Sequence, residues 1–234
     1  MLADRIILAA GGGRLDRYTK SLLHFNGADG STNFKDETVK IWTPYGNVQI
    51  KTDQSKFGGA SAYFDGSGDY LSTPSHSDFN FGLQNFTIDF WMRLQTSGTS
   101  YYILFREDSI QMWLRYSDGE YALYAYFDPS KESQVNLSFK YTDLSSFTIN
   151  KWYHIAIVRN GSNFTGYVNG EYRGIYSHLD GAKALSSVSK PLYIGARNLS
   201  GSIDSYFKGW IDEFRISKGI ARWTSSFTPP TIPY

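Results

Sequence analysis

Short segments in which apolar and polar residues alternate run through most of this chain, and that alternation limits its possible folds more than any other feature. The segment "FTIDFWMRL" at residues 86–94 is an example, because its apolar side chains fall at every second position and share one face. The other face of this segment carries Thr87, Asp89, Trp91 and Arg93. A period of two is typical of a β-strand with one side in a core. Further segments of this kind lie at 109–128, 151–161, 166–174 and 209–217.

Turn-forming dipeptides separate these segments. Asp118-Gly119 divides the segment 109–128, and Asn169-Gly170 divides the segment 166–174. Both dipeptides favour two-residue hairpin turns. No long segment has the 3.6-residue period of a helix, and the sequence contains no internal repeat. Many short strands joined by turns predict an all-β sandwich or barrel in a single domain.

Composition excludes several classes of function. The chain has 234 residues, with 23 basic and 22 acidic side chains and no cysteine. A chain of this length can bury enough apolar surface to fold without disulfides. The lack of cysteine excludes disulfides, thiolate metal sites and a cysteine nucleophile. A net charge of +1 gives no field that would gather nucleic acid or an anionic membrane, so we expect neither as a partner.

The two ends of the chain differ from its middle. The start, "MLADRIILAA", has an apolar run too short for a signal peptide, so we expect synthesis in a cytosol. The glycine triplet at 11–13 predicts an N-terminal arm over residues 1–19, either a disordered terminus or a segment that docks on a neighbouring subunit. We expect the sandwich over residues 20–228. The proline-rich end predicts an extended tail over residues 229–234 without sheet pairing.

The stretch "YFDGSGDYL" at residues 63–71 combines two aspartates with small residues. No helix follows that could hold a phosphate at its N-terminus. Asp65 and Asp69 alone supply too few oxygens for calcium, which takes about six to eight. The glycines at 66 and 68 allow a tight reversal, so the stretch by itself predicts a turn.

The residues do not support catalysis. A glycosidase needs two carboxylates that face each other across roughly 5–9.5 Å. The nearest pairs, Glu107-Asp108 and Asp212-Glu213, are adjacent residues, which should point to opposite faces of a strand. The four histidines have no metal-ligand spacing, and the alternation around His154 favours a hydrogen-bonded sheet histidine. No nucleophile elbow between a strand and a helix is present. We therefore predict that the protein is not an enzyme.

The hairpin at 109–128 offers the most informative surface. With Asp118-Gly119 as the turn, the expected pairs are Tyr116 with Tyr121, Leu114 with Leu123, and Trp113 with Tyr124. Paired residues share a face. The core face would then carry Ile110, Met112, Leu114, Tyr116, Tyr121, Leu123, Ala125 and Phe127. The opposite face would carry Gln111, Trp113, Arg115, Tyr124 and Tyr126. The outward residues Trp91 and Arg93 would join this surface if their strand lies in the same sheet.

The face of the hairpin opposite to the core has three interpretations. It combines flat rings with hydrogen-bond donors, which is what a sugar ring needs for stacking and orientation. Exposed aromatic side chains are also common where one subunit covers another. A third interpretation is purely structural, because cross-strand aromatic pairs stabilise a sheet by roughly 0.2–1 kcal/mol each.

Four longer stretches carry a resemblance to a known family. They are "SLLHFNGADGSTNFKDET", "SKFGGASAYFDGSGDYLSTPSHSDFNFGLQNFTIDFWMRL", "NKWYHIAIVRNGSNFTGYVNGEYRG" and "YIGARNLSGSIDSYFKGWIDEFRISKGIARWTSSFTPP". Over about residues 21–230 the chain resembles the laminin-G-like jelly-roll domains of the concanavalin A-like lectin/glucanase superfamily. Its "SKFGGAS" and "ISKGIARWTSSFTPP" are similar to versions in tailed-bacteriophage virion proteins and phage-derived genes. The resemblance implies a single jelly-roll sandwich of two antiparallel sheets, often with calcium, and a binding or structural role more often than catalysis.

The resemblance also implies a position for calcium. In the family, a structural calcium can lie beside the neighbouring strands formed by the two chain ends. Carried over by motif, its ligands would be Asn26 or Asp29 from "HFNGADG", Asp212 from "WIDEF", and a carbonyl near Gly66. The alternative makes Asp29 a turn former beside Gly30, and Asp212 and Asp65 exposed strand residues. The expected cofactor, if any, is a structural calcium ion.

Two functions from different classes follow from the residues and the resemblance. The first is a structural virion protein of a bacteriophage, a capsid decoration or a tail component. It would be located in the virion and would form a homo-oligomer that contacts other virion proteins. The alternative is a carbohydrate-binding module that recognises host surface glycans without hydrolysing them.

Overall fold

The computed structural model of the chain describes residues 15–97, 99–117, 120–128, 135–140, 148–177 and 182–234. Within these residues the regular elements are β-strands and one turn of 3-10 helix at Ser77–Phe79. In chain order the strands are β1 (Thr19–Leu23), β2 (Thr43–Tyr45), β3 (Gln49–Lys51), β4 (Ser61–Asp65), β5 (Tyr70–Thr73), β6 (Phe86–Leu94), β7 (Tyr101–Arg106), β8 (Ile110–Ser117), β9 (Glu120–Phe127), β10 (Val135–Lys140), β11 (Trp152–Asn160), β12 (Asn163–Val168), β13 (Glu171–Ser177), β14 (Leu192–Ile194), β15 (Arg197–Leu199), β16 (Ser202–Asp204) and β17 (Lys208–Lys218). The described part of the chain contains no helix with the length and apolar character that a membrane crossing requires.

These strands form two large antiparallel sheets. The eight-stranded sheet has the order β13-β12-β11-β6-β17-β4-β3, and β1 also pairs with β17. The seven-stranded sheet has the order β10-β9-β8-β7-β14-β5-β2, and β15 and β16 form a separate two-stranded hairpin. The predicted all-β fold, a single antiparallel jelly-roll sandwich, is confirmed.

One hydrophobic core lies between the two large sheets. The apolar face predicted for residues 86–94 lies in this core, and so does the predicted core face of the hairpin β8–β9. Full burial of a Leu, Ile or Phe side chain stabilises the folded state by roughly 1.5–3 kcal/mol. The core therefore fixes which face of each strand points outward, and that outward face is what remains for binding.

The predicted hairpin registers are confirmed. Tyr116 pairs with Tyr121, and Trp113 pairs with Tyr124. The predicted turn residues 118 and 119 of this hairpin lie outside the described residues. In the second hairpin, which joins β12 to β13, Asn169 and Gly170 have φ angles of 50° and 75°. Positive φ at both positions is what a two-residue turn of this type requires.

The stretch 63–71 contains a turn at residues 66–69, between β4 and β5, as its residues predict. It leaves β4 in the eight-stranded sheet and enters β5 in the seven-stranded sheet, with Gly66 and Gly68 at φ angles of 86° and 80°. Asp69 anchors the turn from inside, because its buried carboxylate accepts the backbone N–H groups of Asn47 and Asp65 at 2.5 and 2.8 Å.

The two chain ends meet on the eight-stranded sheet. Most of the predicted arm over residues 1–19 lies outside the described residues. In the part that is described, the carboxylate of Asp16 accepts hydrogen bonds from the guanidinium of Arg222, and Thr19 begins β1. Residues 229–234 form no strand, and the side chain of the last residue, Tyr234, is only 8% exposed. The domain boundaries at 19 and 228 stay predictions.

A β-bulge in β17 corrects one sequence-based expectation. Between Asp212 and Arg215 the pairing with β6 shifts register, and Glu213 has a φ angle of 50°. Ile211 and Phe214 both lie in the core although they are three residues apart. Asp212 and Glu213 therefore both leave the core side, whereas adjacent residues in a regular strand would point to opposite faces.

Candidate functional site

A stack of aromatic rings covers part of the outer face of the seven-stranded sheet. The ring of Trp113 lies between those of Tyr102 and Tyr124, with centroid distances of 5.4 and 5.0 Å and interplanar angles of 20° and 12°. Tyr126 approaches Trp113 edge-on at 4.6 Å. We call these four residues the aromatic face. Their rings present flat apolar surface beside hydroxyl groups, which suits a ligand that is apolar on one side and polar at its edge.

Period-two alternation on three neighbouring strands builds this face. Met112 and Leu114 flank Trp113 on β8, and both are fully buried in the core. Tyr101 and Ile103 flank Tyr102 on β7 and are core residues too. Because successive side chains alternate across a strand, burial of these neighbours forces the intervening rings outward. The registers Trp113–Tyr124 and Tyr102–Trp113 then bring the rings side by side.

Hydrogen-bonding groups border the aromatic face. The hydroxyl of Tyr102 donates to Oε1 of Gln111 at 3.4 Å, and Arg115 is exposed on the same strand. The guanidinium of Arg197 lies 5.3 Å from the centre of the Tyr102 ring. Arg197 in turn donates two hydrogen bonds to Asp204, at 2.8 and 2.6 Å. The site thus offers donors and acceptors around its rings.

One ion pair of this border, Arg197–Asp204, is neutral as a unit. The hydrogen bonds from Arg197 lower the pKa of Asp204 below its ordinary value, and those bonds raise the pKa of Arg197. Both groups therefore stay charged through the physiological range, and their charges cancel. Burial raises the pKa of the Tyr102 phenol, which keeps this hydroxyl protonated as a donor.

The structure brings together five of the predicted binding residues and separates two. The five lie on the outward face of the hairpin β8–β9: Gln111, Trp113, Arg115, Tyr124 and Tyr126. Trp91 and Arg93 lie on β6, which belongs to the other sheet, so they do not extend this surface. The Trp91 side chain is only 5% exposed, because the ring packs against Phe57 and the Lys56 ammonium lies over it at 3.8 Å.

Sequence reasoning missed Tyr102 and the ion pair beside it. The sequence held a local signal for Tyr102. Residues 107–109 form a three-residue loop between β7 and β8, with Asp108 at a φ angle of 60°, and this hairpin pairs Tyr102 with Trp113. Three-residue loops are common hairpin connections. The segment containing Arg197 and Asp204 has no such signal, because its position over β7 depends on tertiary packing alone.

Asp212, one of the residues proposed for calcium, is bound by backbone N–H groups. The Lys56 and Phe57 N–H groups donate to its Oδ2 at 2.7 and 3.1 Å, and the Glu213 N–H donates to Oδ1 at 2.9 Å. These backbone N–H groups already engage both oxygens of the carboxylate. Burial also raises the pKa of Asp212 to about 7, despite those donors.

Of the other proposed calcium ligands, Gly66 lies apart from Asp212, whereas Asn26 lies beside the loop that binds it. Gly66 follows Asp65, and Asp65 pairs with Lys208. Lys208 precedes Asp212 by four residues of β17, which corresponds to about 13 Å along the strand. Asp29 accepts the backbone N–H of Thr52 at 3.1 Å, and Asn26 lies against Gly58. No cluster of three or more His, Cys, Asp or Glu side chains suited to a metal occurs among the described residues. The calcium site implied by the resemblance stays a prediction.

The outer face of the eight-stranded sheet holds a buried polar network instead of an open site. His154 is fully buried, and its Nε2 hydrogen-bonds the Tyr234 hydroxyl at 2.8 Å, in line with the predicted sheet histidine. Arg215 pairs with Asp89 at 2.8 Å, and its guanidinium lies 3.7 Å from the centre of the Tyr234 ring. Glu213 accepts the Tyr234 backbone N–H at 2.9 Å. The C-terminal residues therefore cover the part of this face around His154, and we take the aromatic face as the candidate site.

Comparisons with known proteins agree with this architecture. A family model described as the concanavalin A-like lectin/glucanases superfamily matches residues 65–222, more than half of the chain. A search of curated proteins gives no significant match.

Several solved structures share the fold at low sequence identity. The binding domain of botulinum neurotoxin DC in complex with SialylT matches 87% of this chain and 49% of its own, with 16% identity and a TM-score of 0.64. The binding domain of Paraclostridial mosquitocidal protein 1 gives the same coverages, 18% identity and a TM-score of 0.65. Domain 4 of AbnA, a GH43 extracellular arabinanase from Geobacillus stearothermophilus, in complex with arabinotriose, matches 87% of this chain and 94% of its own, with 17% identity and a TM-score of 0.62.

The extent of these matches differs. The chain spans about half the length of the toxin domains but nearly all of the arabinanase domain. At such identities the likeness shows the fold alone, whereas the family model matches the sequence itself. The chain belongs to the concanavalin A-like lectin/glucanase superfamily.

Proposed function

We propose that this protein is a carbohydrate-binding module and that the aromatic face is its binding surface. The observation that carries the proposal is the Trp113 ring, stacked between two tyrosines on an outer sheet face and bordered by hydrogen-bonding groups. A sugar ring has an apolar C–H face and a rim of hydroxyls. The rings would stack on that face, while Gln111 and Arg115 would hydrogen-bond the hydroxyls.

Similar proteins support this proposal. One solved structure with this fold is a toxin binding domain in complex with SialylT, and another is an arabinanase domain in complex with arabinotriose. The first is a binding domain of a toxin, and the second is one domain of an extracellular arabinanase. Their ligands differ, so the fold is compatible with more than one sugar class.

The proposal is one of binding without catalysis. Asp212 and Glu213, which are adjacent in sequence, are almost completely buried. Asp212 is engaged by backbone N–H groups, and Glu213 by His24 and the last residue of the chain. A glycosidic bond would have no access to such a pair. In the adjacent pair Glu107-Asp108, Glu107 is engaged by Lys190 at 2.7 Å.

A glycan array tests the proposal, with wild type and Trp113→Ala compared at equal concentration. We expect wild type to bind a defined set of glycans and Trp113→Ala to lose that binding. Trp152→Ala is the matched control, since Trp152 is a half-buried tryptophan on the eight-stranded sheet. Equal binding by wild type and Trp113→Ala, or absence of wild-type binding to every glycan, would contradict the proposal.

The virion role implied by the resemblance is a second proposal. It is supported by a loop that presents Val39 and Ile41 to solvent, 89% and 75% exposed. The buried carboxylate of Asp36 holds this loop, accepting bonds from Trp42 and Thr38 among others. An assembly contact would cover such apolar side chains. Light scattering on purified protein tests this role, and a monomer whose mass is unchanged at high concentration would contradict it.

A further inference from the structure

We propose that the binding surface continues across the seven-stranded sheet to a second ring cluster, and that its ligand is a linear, neutral polysaccharide chain. The second cluster consists of Tyr45, Tyr70 and Tyr193. This inference rests on the proposed function, because it names the class of carbohydrate that the same face would bind.

The second cluster has the geometry of the first. Tyr45 and Tyr70 stack at 4.5 Å with an interplanar angle of 8°, and Tyr70 lies 5.9 Å from Tyr193. Leu71 follows Tyr70 and is buried in the core, and Ile194 follows Tyr193 and is buried as well. The tyrosines of β5 and β14 therefore point outward, and Tyr45 shares their face because it pairs directly with Tyr70.

Polar groups of the hairpin β15–β16 join the two clusters. Arg197 on β15 lies over Tyr102 of the aromatic face, and the next residue, Asn198, donates through Nδ2 to the Tyr193 hydroxyl at 2.7 Å. One short strand thus contacts a ring from each cluster. The surface alternates rings, polar groups and rings again, which matches a chain of sugar units better than one terminal sugar.

The distance across this surface indicates the size of the ligand. The aromatic face begins on β9 and the second cluster ends on β2, and the strands between them follow the order β9-β8-β7-β14-β5-β2. Five interstrand spacings correspond to about 24 Å. A single sugar ring covers only a small part of that length. An extended oligosaccharide or polysaccharide lying across the strands would contact both clusters.

The charges on this surface favour a neutral chain. Arg197, midway along it, is neutralised by its two hydrogen bonds to Asp204. Lys190, near the same sheet, is paired with Glu107. Arg115 is exposed, but it is a single cation on β8, two residues along the strand from Trp113. A polyanionic chain would need unpaired cations along its whole path, because each repeating charge must be matched.

The test compares long and short ligands of the same chemistry. Retention in gels that contain linear arabinan, xylan, mixed-linkage β-glucan or dextran identifies the neutral polysaccharide that binds, and polygalacturonate serves as the anionic comparison. Titration calorimetry then measures the trisaccharide and the hexasaccharide of that polymer. We expect wild type to bind the hexasaccharide more tightly than the trisaccharide. Tyr45→Ala should weaken hexasaccharide binding about five- to tenfold and change trisaccharide binding less than about twofold.

A matched control separates ring loss from general disturbance. Tyr172→Ala removes a tyrosine of similar exposure, 49% against 44% for Tyr45, from the eight-stranded sheet, and should change neither affinity. Thermal melting of both variants confirms that they fold.

The outcomes distinguish this inference from the proposed function. If Trp113→Ala loses binding but Tyr45→Ala binds the hexasaccharide normally, the extended surface is wrong and the carbohydrate-binding module stands. Equal affinity of wild type for both oligosaccharides would also overturn the extended surface. Stronger retention by polygalacturonate than by every neutral polymer would overturn the assignment of a neutral ligand. Retention by none of the polymers would overturn the inference as a whole.

Discussion

Adjacent residues on β8 should separate binding from stability. Trp113 and Leu114 are neighbours in sequence, yet the tryptophan lies on the aromatic face and the leucine is fully buried in the core. We expect Trp113→Ala to abolish carbohydrate binding with little loss of stability. Leu114→Ala should lower stability strongly while leaving the binding of the remaining folded protein unchanged.

The magnitudes follow from the environment of each side chain. Removing a fully buried leucine costs about 3–5 kcal/mol, because transfer free energy is lost and a cavity remains. Trp113 forms two cross-strand ring pairs, with Tyr102 and Tyr124, and at roughly 0.5 kcal/mol each its removal should cost about 1 kcal/mol. A chain of this size loses about 2–4 °C in melting temperature per kcal/mol. The expected decreases are therefore about 6–20 °C for Leu114→Ala and about 2–4 °C for Trp113→Ala.

Differential scanning calorimetry measures both melting temperatures, and the glycan array measures binding at a temperature where both variants are folded. The reasoning fails if Trp113→Ala melts as far below wild type as Leu114→Ala does. In that case the tryptophan would be a structural element of the sheet. Loss of binding by Leu114→Ala while it is fully folded would equally refute the separation of the two faces.

Three further predictions concern the eight-stranded sheet and the C-terminal residues that cover it. Tyr234→Phe removes the hydroxyl that hydrogen-bonds His154, and should lower the free energy of unfolding by about 1–2 kcal/mol in urea titrations. Although burial alone would raise the pKa of Asp89, the buried arginine beside it lowers that pKa below its ordinary value. Asp89 therefore stabilises the fold above its unfolded pKa of about 4, and this contribution is lost as the pH falls towards the folded pKa. At pH 7 Asp89→Asn should cost about 3–5 kcal/mol, and its stability should change less than that of wild type below pH 4. Gly170→Ala should destabilise the folded state by about 1–3 kcal/mol more than Gly59→Ala. Both glycines have a positive φ, but of the two only at Gly170 would the new methyl group collide with a carbonyl of the C-terminal segment.

Each of these expectations has a clear contrary result. Tyr234→Phe with wild-type stability would show that the hydroxyl does not contribute. Identical pH profiles for Asp89→Asn and wild type between pH 7 and 3 would refute the assigned ion pair. Equal destabilisation by Gly170→Ala and Gly59→Ala would show that backbone strain at positive φ accounts for the loss of stability at Gly170, without a contribution from the C-terminal segment.

Local sequence patterns determined the strands and their faces. In β6 and in the hairpin β8–β9, every apolar residue predicted to share a face does so, and the pairs Leu114–Leu123 and Trp113–Tyr124 occur in the predicted register. This succeeds because the period of two is a property of the backbone itself and because a two-residue turn fixes the register of the strands it joins. Both signals are read from residues close in sequence.

Only the tertiary structure decided which strands became neighbours. Alternation predicts that Trp91 and Trp113 both point away from the core. However, β6 and β8 belong to different sheets, and the loop at Lys56 and Phe57 buries Trp91. Tyr45 contacts Tyr70 because β2 pairs with β5, although β3 and β4 lie between these strands in the sequence. No local period records such an order, because it results from packing the whole core.

The bulge in β17 shows the same limit at a single residue. Alternation assigns Asp212 and Glu213 to opposite faces, but one extra residue opposite β6 turns both away from the core. Distant partners bind both carboxylates in this arrangement: the N–H groups of Lys56 and Phe57 bind one, and His24 and Tyr234 bind the other. The sequence by itself determined which residues form strands and which faces they present, since those depend on backbone geometry. Which outward side chains stay open to a ligand was decided by long-range pairing and by the segments that cover each sheet.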